Sequence, residues 1–463
     1  MSPRAPLTAA TVLAAVLAAA LAALPAEAEE GQLDRKALAG LVELCERWAR
    51  EETDGGRLLV EGEARLLPPL PRSAVDPLVE RVFELSRKHG RKLKRSGSGH
   101  LYGGKARGDE ERGFYMVSPA RKGRGLLIAL HGGGEGQGDA SSAFSTWGSA
   151  TSEGMTVVAP EVMHKVSSAW NTEPEEEFVL DLVEAAKRTF DVDPDRVYVA
   201  GHSMGGDGSW MVGGRNADLF AAAAPLAGSV MPYLRPGKDN RLDTPREDYL
   251  GLMEGVLPNL MHLPFHVFHS ADDRNEAVHP DDIAVERLRK LQRLFPGRYE
   301  VTYDRVDGNG HKLPPRGVKP IVEWMAGKVR DPYPREVVWE TWWPWKRQFH
   351  WLYHPEPDDA WRFHARVTGP NQVDVTATSK PVAGRTEPEG FELRVLCSRE
   401  MLDLDAPLTV TSGGKILHQG PVQRTLWALL VTAGRRLDPG QWFEAEVTVR
   451  VPRTMWRDLW DTE

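Results

Sequence analysis

The sequence predicts an α/β protein built on a mostly parallel sheet, preceded by a small helical region and followed by a β-sandwich domain. Three patterns carry that expectation. Over 111–330, short continuous apolar runs alternate with amphipathic stretches, as in a parallel sheet covered by helices on both faces. Beyond 337 the apolar residues recur at every second position, the period of half-buried strands. Before 111 they recur at helical spacing between Pro- and Gly-rich breaks. At 463 residues the chain is also too long for one compact domain.

The elements follow in chain order. Residues 1–28 place Arg4 before an Ala/Leu run from Leu7 to Leu24, then Pro25 and Ala26-Glu27-Ala28. Charged, apolar, then small-x-small is the order of a cleaved signal peptide, so a secreted or periplasmic protein is expected. After cleavage no remaining segment is apolar enough to insert in a membrane. Residues 29–110 are read as the helical region, with Leu38, Leu41, Val42, Cys45 and Trp48 on one helix face and a second helix at 74–88. The basic run 87–95 reads as a solvated linker, with weak affinity for anionic polymers as the sharper alternative. From 111 to 330 the runs at 125–131, 155–160, 196–200, 220–228, 264–270 and 299–306 are the strands. Helices are expected at 174–190, 203–215, 281–295 and 319–329. Residues 331–463 form the β-sandwich, with alternating stretches such as "WRFHARV", "QVDVTAT" and "WFEAEVTVRV".

Composition excludes several classes. A net charge of −8 provides no global basic field for nucleic acid. Two cysteines, Cys45 and Cys397, exclude a disulfide scaffold and read as separate buried thiols. No Cys/His cluster has zinc spacing, so neither metal nor cofactor is expected.

The chemistry is concentrated after the strands. Gly201-His202-Ser203-Met204-Gly205 stands between the run "RVYVA" and a helical stretch. A serine at such a strand-to-helix turn is exposed, strained and beside a helix N-terminus, as a nucleophile requires. A second strand runs into His131-Gly132-Gly133-Gly134, which resembles the oxyanion loop of esterases and lipases. No register here yields G-x-G-x-x-G: counted from Gly132 the third glycine position is Gln137, and from Gly134 it is Asp139. The backbone N–H groups of Met204 and Gly133 are the expected oxyanion donors, with Gly134 the alternative to Gly133; His131 reads as a structural residue. Asp272 and Asp273 follow the strand "PFHVFHS", and His311 follows the last strand in "DGNGHKLPP". Serine, acid, then histidine is the chain order of α/β-hydrolases. An imidazole is suited to deprotonate the serine near pH 7, and a carboxylate orients it.

Through "LLIALHGGG", "VDPDRVYVAGHSMGGDGSW", "FAAAAPLAG", "HSADD" and "DGNGHKLPP", residues 111–330 resemble the secreted esterases related to polyhydroxybutyrate depolymerases and feruloyl esterases. The resemblance covers about half the chain. It implies an α/β-hydrolase fold and metal-free serine ester hydrolysis, with Ser203, Asp273 and His311 as the triad. In these esterases the acid stands four residues after the strand-end histidine, which is Asp273 counted from His269. One departure is that the usual glycine after that histidine is Ser270, and a second acid, Asp272, precedes Asp273.

The expected substrate is a small-molecule or polymeric ester, polysaccharide-linked if aromatic residues bind sugar. The insertion 229–263 is read as a cap over the serine, and 164–178 as a second wall. Trp170 there would hold an aromatic or sugar, or else pack. Trp342, Trp343, Trp345 and Trp351 would form a stacking platform, or else fill a core. Two other readings share these motifs: a serine peptidase on the same fold, and a non-catalytic polymer-binding protein.

Overall fold

A computed structural model describes residues 35–51, 54–102, 111–134, 136–165, 169–230, 255–341, 343–357, 361–379, 390–434 and 436–455. The expected signal peptide, most of the 229–263 insertion and Trp342 lie outside the described residues.

Helices α1 (Arg35–Arg50), α2 (Asp54–Arg65) and α3 (Arg72–Lys88) come first. Leu41, Leu44, Cys45 and Trp48 bury the inner face of α1. Strands β1 (Gly97–Tyr102) and β2 (Glu111–Ser118) then pair as antiparallel neighbours. The stretch at 97–102 was expected inside the helical region, as a Gly-rich break; instead it is the edge strand of the first sheet. The phenol of Tyr115 on β2 crosses Gly99, where an added Cβ would fall 2.7 Å from its oxygen. A cross-strand aromatic thus covers a strand too poor in side chains to announce itself.

The rest of that sheet is β3 (Gly125–Leu130), β4 (Met155–Glu161), β5 (Val197–His202), β6 (Ala222–Leu226), β7 (Phe265–Ser270) and β8 (Val301–Val306). Its strand order is β1-β2-β4-β3-β5-β6-β7-β8, parallel from β4 onward in that order. Alternate residues of β3 feed two cores. Leu126, Ile128 and Leu130 face one, and Leu127 and Ala129 face the other. Helices α4 (Ala140–Trp147), α5 (Glu173–Thr189), α6 (Met204–Arg215), α7 (His279–Leu294) and α8 (Lys319–Ala326) cover the two faces. Trp147 of α4 and Val322 and Met325 of α8 fill the second core.

A second sheet follows: β9 (Glu336–Glu340), β10 (Gln348–Phe349), β11 (Leu352–Tyr353), β12 (Trp361–Gly369), β13 (Gln372–Ser379), β14 (Gly390–Cys397), β15 (Leu408–Ser412), β16 (Lys415–Gly420), β17 (Gln423–Arg424) and β18 (Ala445–Met455), with helix α9 (Leu426–Ala433) before β18. Where a sandwich was expected, the strands connect through β18. Residues 445–452 of β18 pair with β14, and Arg453–Met455 pair with β13. Such a strand turns the corner between two halves of a sheet. Cys45 and Cys397 are separate buried thiols.

The first core does not stop at the sheet. It runs without interruption from Leu41 and Trp48 through Ile128 and Val199 to Trp351, Phe363 and Val449. Buried ion pairs reinforce the junction. Asp218 accepts from Lys346 Nζ at 2.8 Å and Arg436 Nη1 at 2.7 Å. Arg330 donates to Asp195 at 2.6 Å and to both oxygens of Asp438 at 2.8 and 2.9 Å. Burial pushes the Asp218 carboxyl up, but Arg436 and Lys346 outweigh it and leave it well below its ordinary range.

Candidate active site

Four loops lie at the carboxyl ends of parallel strands of the first sheet, where ligands bind in open α/β sheets. Ser203 follows β5, the 131–134 loop follows β3, the 270–276 loop follows β7, and the 308–311 turn follows β8.

Ser203 sits at φ 61°, ψ −127°. That conformation costs a side-chain-bearing residue about 1–3 kcal/mol and is kept only where the surroundings impose it. The surroundings are visible. Ser203 N–H donates to Leu226 O at 2.9 Å, and Ser203 O accepts from Gly206 and Asp207 N–H. The flanking glycines permit the turn: a Cβ on Gly201 would fall 2.3 Å from Gly205 O, and one on Gly205 would fall 2.2 Å from Leu130 O. The G-x-S-x-G spacing is therefore a consequence of strand, turn and helix backbones touching.

His311 stands on a turn with Gly308 and Gly310 at positive φ. Its Nδ1–H donates to Asp273 Oδ2 at 2.7 Å, and its Nε2 accepts from Ser203 Oγ at 2.8 Å. Asp273 is fully buried, and its Oδ1 accepts from Asn275 N–H at 2.8 Å and Glu276 N–H at 3.0 Å. Burial pushes its carboxyl up, but bonds from His269 and His311 hold it far below the ordinary range. The three expected residues form one continuous hydrogen-bonded line.

Asp272 does something else. It is exposed, and its Oδ1 accepts from Ser270 Oγ at 2.5 Å and from Gly310 N–H at 3.0 Å. Ser270 Oγ accepts in turn from Asn309 N–H at 3.2 Å. Together they tie the acid loop to the histidine turn.

The 131–134 loop packs on Ser203. A Cβ on Gly132 would fall 2.8 Å from His202 O and 3.1 Å from Ser203 Cβ. His131 is structural: Nδ1–H donates to Gly132 O at 2.8 Å and Nε2 accepts from Val162 N–H at 3.2 Å. Burial holds this ring below its ordinary range, hence neutral. Trp170 is fully buried and donates to His131 O at 3.0 Å. It braces the loop from behind and offers no face to a substrate. Met204 opens α6, where the first N–H groups of a helix have no intrahelical partner; Gly133 adopts φ 130°.

Several residues near this hydrogen-bonded line escaped sequence reasoning. His202, beside Ser203 in the chain, lies with its ring centroid 4.9 Å from that of His311. Burial, then the neighbouring His311, push its pKa down to about 4. His269, at the end of β7, lies between Asp281 and Asp273. Asp207 is buried and accepts from Ser229 N–H at 2.6 Å. Burial raises Glu276 to about 7. For His269, Glu276 and Asp281 the one sequence signal was the crowding of His, Asp and Glu between 266 and 282; nothing local marked His202 or Asp207.

Other expectations also shift. Among the acids that open α5, Glu173, Glu175 and Glu176, one is a buried junction group. Glu176 accepts from Asn216 Nδ2 at 2.8 Å, Trp343 Nε1 at 2.8 Å and Arg215 Nη1 at 3.3 Å. Trp351 is fully buried and donates to Pro334 O, so it belongs to no surface platform. Trp343 and Trp345 are half-buried and parallel, with centroids 6.5 Å apart.

Among the described residues no helix is long and apolar enough to cross a membrane, and no group of His, Cys, Asp and Glu could hold a metal ion.

Comparison with known proteins adds the following. None of the curated proteins compared matches the chain. Among solved structures, a thermostable esterase is 19% identical, over 50% of this chain and 62% of its own, with a TM-score of 0.37. The chain thus spans less than two thirds of that relative. The S-formylglutathione hydrolase FrmB of Staphylococcus aureus is 14% identical, over 50% and 98%, at 0.36. An acetyl xylan esterase from Aspergillus awamori is 12% identical, over 50% and 100%, at 0.35. The model of the esterase family, described as "Putative esterase", matches residues 114–352, just over half of the chain. That span holds both strand-end glycine loops and all three residues of the hydrogen-bonded line, and the chain belongs to this esterase family.

Proposed function

We propose that the protein is a serine carboxylic-ester hydrolase that works through an acyl-Ser203 intermediate. The unbroken line from Ser203 Oγ through His311 to Asp273 Oδ2, at 2.8 and 2.7 Å, carries the reading. His311 Nε2 takes the serine proton as Oγ attacks the ester carbonyl. Asp273 holds the Nδ1–H tautomer and stabilises the imidazolium that forms. The carbonyl oxygen becomes an oxyanion held by the N–H groups of Met204 and Gly133. His311 then protonates the leaving alcohol. Water, deprotonated by the same nitrogen, hydrolyses the acyl-enzyme and regenerates Ser203.

The substrate is a small or polymeric ester. The motifs over 111–330 resemble those of secreted enzymes related to polyhydroxybutyrate depolymerases and feruloyl esterases, and the 1–28 segment supports export. The test is a panel of p-nitrophenyl esters run beside peptide substrates, on the wild type and on Ser203→Ala. Turnover of esters that is lost in the variant is expected. Turnover of peptides alone, or a wild type that no fluorophosphonate probe labels, would overturn the proposal.

A further inference from the structure

The acid of the triad is not shared by one histidine only. His269, at the end of β7, is fully buried. Its Nδ1 lies 2.8 Å from Asp281 Oδ2 on α7. Its Nε2 lies 3.3 Å from Glu276 O and 3.5 Å from Asp273 Oδ2. Both ring nitrogens therefore face oxygen acceptors. A nitrogen facing only acceptors must carry the proton to be satisfied, and a ring with two N–H groups is a cation. The oxygen it approaches, Asp273 Oδ2, is the one that accepts from His311 Nδ1–H.

We propose that His269 is a positioning residue for the esterase reaction: a buried imidazolium that braces Asp273 from behind and offsets its charge, so that His311 releases its proton, and the enzyme works, at lower pH than a lone Asp–His pair would allow. The inference rests on the triad reading above. The charge balance around the ring can be followed element by element. Asp281 faces it from α7, Asp273 and Glu276 from the acid loop, and Asp207 from α6. The imidazoles of His202 and His311 face the same group from the elbow and the histidine turn. Burial disfavours the cation, but bonds to Asp273 and Asp281 outweigh it and carry His269 up to about 10. Burial also raises Asp207, Glu276 and Asp281, which limits the negative charge they add; at Asp281 the bond to His269 works against that rise. The positive ring nearest the triad is then His269, and its nearest charge on that side is Asp273.

The test is the pH dependence of kcat/KM for a soluble ester, compared between wild type and His269→Gln. Glutamine keeps a donor but no charge. Without the cation, Asp273 acts on His311 uncompensated and favours its protonated form. The acid limb is expected to move to higher pH by about one unit, the lower end of the usual effect of a nearby charge. On the alkaline plateau kcat/KM should stay within about tenfold of wild type. Should His269→Gln not fold because Asp281 is left unpaired, the double variant His269→Gln/Asp281→Asn removes both charges. Its limb should move the same way by less, because the lost cation is the closer of the two to Asp273. A limb that stays in place while activity falls equally at every pH would mean that His269 only packs, and would overturn the inference. Retained turnover in Ser203→Ala would overturn the triad reading and this inference together. A Ser203→Ala loss with an unmoved His269→Gln limb would overturn this inference alone.

Discussion

At the scale of single residues, the two neighbouring aspartates make different contacts and should behave differently. Asp273 Oδ2 accepts the His311 Nδ1–H, so Asp273→Asn presents a donor where an acceptor is needed and turns the ring to the wrong tautomer. The expected loss in kcat is about 10⁴, as for the same change in a serine protease. Asp272 instead accepts from Gly310 N–H and Ser270 Oγ. An asparagine oxygen can still accept both, so Asp272→Asn should change kcat less than about tenfold, since neutralising an exposed acceptor costs little. Measuring both variants, with folding checked by circular dichroism, decides the matter; equal losses would disprove the assignment. Ser203→Ala should remove nearly all turnover, on the order of 10⁶ in kcat, while the protein still folds. Activity above a few per cent in that folded variant would sink the elbow as the nucleophile. His269 should also be visible in stability. The folded state keeps its proton up to about pH 10, whereas the unfolded chain releases it near 6.5. Its contribution is therefore complete below about pH 6.5 and lost as pH rises towards 10. Thermal melts from pH 6.5 to 10 should show the wild type losing more stability than His269→Gln; parallel curves would argue that the ring is neutral.

Among the elements, the central strands and the helices after them were legible because their apolar content is decisive. β3, β5, β6 and β7 are buried along nearly their whole length, and no amphipathic reading competes. β1 and α2 were not legible. Gly97 and Gly99 read as part of a Gly-rich break and 54–65 was given no helix, yet each segment is held by partners distant in sequence. Tyr115 covers Gly99, and Arg57 of α2 donates to Gly434 O just after α9. Local propensity is a weak prior against such contacts. The loop joining α8 to β9 was equally opaque. It reads as an exposed Pro-rich linker, "VRDPYPRE", but its Arg330 is buried between Asp195 and Asp438. Arg330→Met should destabilise the fold by about 3–5 kcal/mol, the usual cost of removing one member of a buried charge group. Chemical denaturation read by tryptophan fluorescence checks this. A loss under 1 kcal/mol would mean that the two aspartates find other partners.

For the molecule as a whole, the shared core and the ion pairs at the junction imply that the first sheet and its helices depend on the second sheet. A chain ended at residue 330 keeps every triad residue. It also strips Lys346 and Arg436 from Asp218, Asp438 from Arg330 and Trp343 from Glu176. Three charged groups would then sit at a newly exposed apolar face. Residues 1–330 are expected to aggregate or to show no cooperative melt, with loss of esterase turnover as a consequence. Size-exclusion chromatography and calorimetry on the truncated chain test this. A monomeric, cooperatively melting and active fragment would show that the second sheet is dispensable.

What the sequence determined by itself is local or periodic. The parallel-sheet class follows from continuous apolar runs. The elbow follows from two glycines flanking a serine at a strand end. The order serine, acid, histidine follows from which strand each loop leaves. These survive reading without a structure because they depend on residues a few positions apart. Tertiary structure alone decided what depends on approach between distant segments. The spacing after His269 already favoured Asp273; only the fold showed that Asp273 reaches His311 while Asp272 takes Ser270 and Gly310 as partners. It turned His202 onto His311 and made Trp170 a brace for His131. It brought Asp281 and Asp273 to opposite sides of His269, and it joined three stretches of chain into one core. A buried charge is tolerated only where its partner arrives, and the arrival of a partner from another part of the chain is a property of the fold.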